Sequence, residues 1–221
     1  MDMDLRDLKR YVSFGENFYI EFKRRTPQPD RLAKEVIAFA NARGGKVFVG
    51  VDDDGTIRGV KDAEEERFAL RQALDAHCDP DVEVSILAVP IARRREVIVV
   101  DVPESPLKPH YLVGVPNGSG RTRTAYVRVA DQSIEASREA IRLMKHERNP
   151  KDVRFEFGDK ERTLMRYLDR HEQITVEAFA RLVDIPRRRA SQTLVLLAKA
   201  DLLRLHPNER ADYFTLAYDV E

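Results

Sequence analysis

The sequence has no tryptophan and a single cysteine, Cys78. One cysteine excludes an internal disulfide framework and a cysteine-rich zinc site. Five histidines (His77, His110, His146, His171 and His206) are scattered and form no HExxH pair. No apolar run approaches the ~18 residues that a membrane-spanning helix needs. The charged start, MDMDLRDLKR, has no apolar signal-peptide core. Excess charge of either sign is missing too, because 38 Lys and Arg balance 38 Asp and Glu. A chain that holds polyanions over its whole surface carries a net base, so any nucleic-acid contact here must come from local patches. A soluble cytoplasmic protein without membrane contact is the expectation.

Apolar residues make up 43% of the 221 positions and charged residues 34%. That supplies a real core, for one large or two modest domains of ~100–200 residues each. Residues 1–150 alternate between helix and strand signals, an α+β pattern. Asp4–Val12 reads as a short amphipathic helix and Asn17–Lys23 as a strand of period two. Asp30 caps a helix to about Ala42, which Gly44-Gly45 stops. Lys46–Asp52 reads as a strand, Asp53-Asp54-Gly55 as a hairpin turn and Thr56–Val60 as its return. Asp62 and Glu65 resemble a capping box before a helix that ends ahead of Pro80. Val82–Val89 and Glu96–Val102 are strands around a turn, Arg93-Arg94-Arg95. A long Pro/Gly-rich connection, 103–120, leads to a strand at Thr124–Ala130 and a helix from Ser133 to about His146.

Asn149-Pro150-Lys151-Asp152 reads as a linker, giving domains 1–150 and 151–221. The second holds helices at Lys160–Arg170, Val176–Val183 and Arg187–Ala200, then a hairpin of Leu202–His206 and Tyr213–Ala217. That is the outline of a small winged helix-turn-helix domain. Its third helix opens with Arg187-Arg188-Arg189, followed by Ser191 and Gln192. Arginines bind guanine edges or phosphates, and Ser and Gln reach base edges, so these five are candidate duplex-DNA contacts. The alternative is a solvated arginine run on an interaction module.

In the first domain, Glu16, Glu21 and the Asp52-Asp53-Asp54 run supply carboxylates. Three brought together can hold a divalent cation for phosphodiester chemistry. Residues five apart on a regular strand face opposite sides, so Glu16 and Glu21 converge only if the chain bends near Gly15. Otherwise they are surface ion pairs. Lys23-Arg24-Arg25, Arg93-Arg94-Arg95, Arg121, Arg123 and Arg128 are candidate phosphate contacts, with Tyr126 as an aromatic neighbour. Gly44-Gly45-Lys46 is no Walker A loop: Val47 follows the lysine and the order is helix then strand, so ATP is not expected.

Gly15-Glu16 with Glu21-Phe22-Lys23, Ala38-Phe39-Ala40-Asn41 with Gly44-Gly45, and Gly50-Val51-Asp52-Asp53 with Gly55 and Gly59 resemble, in order and spacing, the Schlafen AlbA_2 family. Val102-Pro103, Ser105 and Pro109, then Tyr126-Val127-Arg128, extend the resemblance over about residues 10–145. It implies an α+β nucleic-acid-binding domain, fused in many bacterial members to a winged helix and described as a transcriptional regulator. It also implies a rival. Some Schlafen proteins cleave structured RNA such as tRNA with two glutamates, an aspartate and a divalent metal. Glu16 and Glu21 match the glutamates, and Asp52 or Asp53 the aspartate, as catalytic and metal-binding candidates with Mg or Mn. Binding alone needs no cofactor. Nuclease Schlafens pair two such lobes in one chain; this chain has one, so a homodimer is expected.

Overall fold

A computed structural model describes residues 3–114, 122–154 and 156–217. The chain separates into two compact units between Glu135 and Ala136. This lies earlier than the boundary after residue 150 expected from composition. The helix before the Asn149-Pro150 segment therefore groups with the C-terminal unit.

The first unit runs α1 (Leu5–Ser13), β1 (Ile20–Lys23), α2 (Pro29–Asn41), β2 (Gly45–Val49), α3 (Ala63–His77), β3 (Cys78–Asp79), β4 (Ser85–Ala92), β5 (Arg95–Val102), β6 (Tyr111–Val113), β7 (Arg123–Thr124), β8 (Tyr126–Val129) and β9 (Gln132–Glu135). Its main sheet has the order β1-β2-β5-β4. β1 and β2 are parallel, with α2 as the connection a parallel pair requires, and the other two pairings are antiparallel. Successive side chains on a strand face opposite sides, and here both sides are covered. Val47, Val49, Ile98, Val100 and Val102 pack with the buried stripes of α2 and α3. Phe48, Val97 and Val99 pack on the other face with Ile20, Phe22 and the Leu8 and Val12 stripe of α1. Glu21 and Lys23, alternating with Ile20 and Phe22, therefore take the α2 side of an edge strand.

Helix ends follow their local chemistry. Asp4 caps α1 by accepting the Asp7 N–H, and Asp62 caps α3 by accepting that of Glu65. Asp30, expected as the cap of α2, lies in its first turn instead: the helix opens at Pro29, and its N-cap Gln28 makes no side-chain capping bond. Two further expectations differ. Thr56–Val60 makes only isolated bridges, Val51 with Ile57 and Val60 with Glu96, because the loop folds on itself. Gly50 O accepts both the Arg58 and the Gly59 N–H, and a Cβ on Gly50 would lie 2.8 Å from Gly59 Cα. The helix expected from Ser133 begins instead after Ser137, which caps it through the Ala140 N–H. Residues 132–135 pair with β8 as a hairpin whose turn holds Ala130 at φ 53. Neither turn residue is a glycine or asparagine, so the usual hairpin signal is missing.

The second unit runs α4 (Arg138–Arg148), α5 (Asp159–His171), β10 (Gln173–Thr175), α6 (Val176–Leu182), α7 (Arg187–Lys199), β11 (Leu203–His206) and β12 (Tyr213–Leu216). Leu164, Leu168, Ile174, Phe179, Ala190, Leu194, Leu197, Leu203 and Phe214 form its core. The hairpin β11–β12 is joined by β10 on its far side, in the order β10-β12-β11. β10 has three residues, too few for period two to register in the sequence. No described helix is long and apolar enough to cross a membrane.

Candidate nucleic-acid interface

The bend that the two glutamates require is present. α1 ends at Ser13, and Gly15 follows at φ +68, a conformation glycine adopts without strain. Asn17 and Ile20 then exchange backbone hydrogen bonds, and the Asn17 side chain accepts the Tyr19 N–H at 2.9 Å. This hook turns the chain back on itself, so Glu16 Oε1 accepts the Phe22 N–H at 2.8 Å. Burial pushes the Glu16 carboxyl above its ordinary range, opposed by that N–H; the charges of Glu21 and Asp53 push it further up. The hook thus brings Glu16 within electrostatic reach of Glu21 and of Asp53.

Glu21 is already committed. Its carboxylate pairs with Lys23 on one oxygen and with Arg128 Nη1 on the other, at 3.0 Å. Arg128 has no exposed side-chain surface, so it is not available to phosphate as the sequence suggested. Its guanidinium also reaches Glu35 at 3.2 Å and Asn17 O at 2.9 Å, and lies 4.6 Å from the Phe39 ring centre. Arg128 therefore anchors the hook, β1, α2 and β8 together. Lys23 lies mostly against Glu21 and is part of the same knot. Glu35 and Asn17 were missed in the sequence because neither belongs to a run of charge.

The two candidate aspartates separate. Asp52 pairs with Arg58 and lies 3.5 Å from Arg24. Asp53 is exposed, its charge felt by Glu16, and it lines a pocket of 510 Å³ with Lys9, Ser13, Gly15 and Phe22. Among the described residues, no three His, Cys, Asp or Glu side chains group closely enough to hold a metal ion. The observed pairing also leaves the carboxylates ill-suited to one, since Glu21 and Asp52 each face two cations.

The basic candidates sort by the sheet register. β1 and β2 run parallel, and Val49 pairs with Ile98 of β5. The end of β1, the loop after β2 and the β4–β5 turn therefore lie at one end of the sheet. That end collects Arg24, Arg25, Arg58, Arg93, Arg94 and Arg95. Arg95 donates to Gly59 O at 3.0 Å and so closes the loop. Arg25, Arg93 and Arg94 are exposed and form no ion pair among the described residues. Arg123 is engaged elsewhere, paired with Asp79 at 2.8 Å and 4.5 Å from the Tyr111 ring centre. Tyr126 is half-buried beneath the Lys34 ammonium, 5.2 Å from its ring centre. Arg121 lies outside the described residues.

In the second unit, Arg187, Arg188, Arg189 and Gln192 are exposed on the first turns of α7. Arg187 lies 3.9 Å from Glu177. Ser191 is not a base reader. It is buried against α4, its hydroxyl between Glu139 and Arg142 Nη1. One helical turn separates Arg188 from Gln192, whereas Ser191 falls on the core-facing side.

The Schlafen, AlbA_2 family model matches residues 16–137. The chain resembles the crystal structure of the DIP2311 protein from Corynebacterium diphtheriae at 21% identity and a TM-score of 0.41. That match covers 62% of this chain and 25% of the other, so the chain spans about a quarter of that structure's length. It also resembles the N-terminal domain of an ATP-dependent DNA helicase RecG-related protein from Nitrosomonas europaea. There the identity is 25% and the TM-score 0.44, over 59% of this chain and 93% of that one. No curated protein matches the chain.

Proposed function

The chain belongs to the Schlafen AlbA_2 family, and from that premise we propose that it is a nucleic-acid-binding protein acting in the cytoplasm. The observation that carries this reading is the gathering of Arg25, Arg93 and Arg94, exposed and without ion pairs among the described residues, at one end of the sheet. Guanidinium groups placed so are available to phosphate, whose contacts dominate such affinities. The second unit is read as a winged helix that adds duplex-DNA contacts through Arg187, Arg188, Arg189 and Gln192, which makes the protein a transcriptional regulator. A homodimer would double both surfaces; light scattering that gives the monomer mass at micromolar concentration removes this part.

The test is a titration of duplex DNA and of structured RNA at rising salt. For duplex DNA, removing one phosphate partner flattens the plot of log affinity against log salt by about 0.9 in slope. Substituting Arg93 and Arg94 together by alanine should lower the affinity and the slope. Affinity that changes little with salt, or an unchanged slope in that variant, overturns the reading. A second reading, RNA cleavage, is favoured by one observation, that Glu16 feels the charges of both Glu21 and Asp53, although the three do not group as a metal site. It requires Glu21 to leave Lys23 and Arg128. Manganese-dependent cleavage of tRNA by the wild type, absent in Glu16→Gln, would establish it.

A further inference from the structure

A groove of 480 Å³ opens at the other end of the sheet, where β1 and β2 begin and β5 ends. Its walls are unusual for a protein surface. Phe14 is 65% exposed and Tyr19 48% exposed, and both line it. Tyr11 adds a third ring, with the Lys46 ammonium 5.7 Å from its centre. Lys46 is paired with Asp101, so a cation and a carboxylate stand side by side in the groove. Arg43, exposed, borders the opening.

The Tyr19 ring meets that of Phe18 edge-on, 4.9 Å between centres. Phe14 caps α1 by its backbone, which any residue can do. Tyr19 follows the hook and turns outward, while its neighbours Ile20 and Phe22 are buried. An exposed aromatic pair at a pocket mouth costs solubility unless something covers it.

We propose that this groove receives one unpaired nucleobase of a single-stranded or looped nucleic acid. The inference rests on the reading that the chain binds nucleic acid. A nucleobase needs three things of a site: an aromatic face to stack on, polar atoms for its edge and a cation for its phosphate. Phe14 and Tyr19 supply the first, Asp101 and Lys46 the second, and Arg43 the third. The volume falls within the ~300–1,000 Å³ usual for small-ligand sites. An apolar peptide would use the rings but would leave the Lys46–Asp101 pair and Arg43 without a counterpart. A paired base inside a duplex cannot enter, because its face is already stacked.

The groove and the arginine-rich end lie at opposite ends of the strands, so the two contributions can be separated. The probe is a short single-stranded oligonucleotide carrying one 2-aminopurine, with its fully paired duplex as control, added to the whole chain. Stacking in the groove quenches the 2-aminopurine fluorescence of the single strand. Phe14→Leu and Tyr19→Leu keep apolar bulk but remove the ring. Each should abolish the quench and weaken single-strand binding about tenfold, the effect of removing one base–aromatic stack. Duplex affinity should not change; the melting temperature should hold for Phe14→Leu and fall only slightly for Tyr19→Leu, which gives up the Phe18 contact. Wild-type binding without quench, or unchanged single-strand binding in both variants, overturns the proposal and leaves the groove to another occupant such as a peptide. A wild type that binds neither probe overturns the functional reading itself, and the groove proposal with it. Arg93→Ala with Arg94→Ala should weaken both probes and spare the quench at saturation.

Discussion

Arg128 and Glu21 are 107 residues apart in sequence, yet their side chains meet at 3.0 Å in a site where the arginine has no exposed surface. The pair joins the last hairpin of the first unit to its edge strand. It also changes the meaning of both residues, since a guanidinium held by Glu21, Glu35 and Asn17 O is part of the scaffold.

Replacing Arg128 by methionine should therefore act on stability first. Removing one partner of a buried ion pair typically costs about 3–5 kcal/mol. Urea denaturation should show that drop, and the further change Glu21→Gln should recover part of it. An Arg128→Met protein as stable as wild type but weaker in nucleic-acid binding would return Arg128 to the interface.

Ser191 and Gln192 are neighbours in sequence with opposite expected effects. Ser191→Ala leaves Glu139 and Arg142 without the hydroxyl between them, at a cost of about 1–3 kcal/mol. Gln192→Ala, on the exposed face, should stay within about 0.5 kcal/mol of wild type. Only Gln192→Ala should alter sequence preference in a DNA-binding assay.

Gly50 has φ +106, and a Cβ there would meet the Gly59 backbone. Gly50→Ala should destabilise the first unit by about 1–3 kcal/mol through backbone strain alone, with the steric contact adding to it. Thermal unfolding checks this. Gly15→Ala is the comparison: φ is also positive, at +68, but no atom lies within 4 Å of the added Cβ. Its cost should be the smaller.

His206 stacks on Tyr213 and hydrogen-bonds Thr215 through Nε2 at 2.9 Å. Burial, then the charge of Arg204, holds its imidazole below the ordinary 6.5. The unfolded chain then binds the proton more readily than the folded one. Stability is complete above the unfolded value and is lost as pH falls through 6.5 toward the lower folded value. His206→Gln should show a flatter stability profile over that window, measured by urea titration at several pH values.

Cys78 is buried, and burial pushes its thiol up to about 12. The thiolate is the reactive form, so a disulfide reagent at about pH 8 should label Cys78 slowly in the native protein and rapidly in urea. Fast native labelling would show that β3 opens readily.

The sequence by itself determined the elements whose signals are local. An unbroken β-branched run from Val97 to Val100 set β5, the stripes Leu8 and Val12 or Val36 and Ile37 set α1 and α2, and Asp4 and Asp62 marked the starts of α1 and α3. It also carried the family, because glycine and acidic motifs keep their spacing. Even the need for a bend at Gly15 followed from strand geometry. Which residues meet was another matter. Arg128 and Ser191 read as free polar residues because their sequence neighbours are polar, whereas burial depends on what packs over them from about 100 and 50 residues away. The hairpin at Ala130 and the three-residue β10 left no periodic trace. That Asp52 is held by Arg24 and Arg58, while Asp53 is the aspartate whose charge Glu16 feels, could not be read from three consecutive aspartates. Charge and hydropathy patterns report a residue's own element; partners are fixed by the register of the sheet and by the turns that fold distant strands onto it.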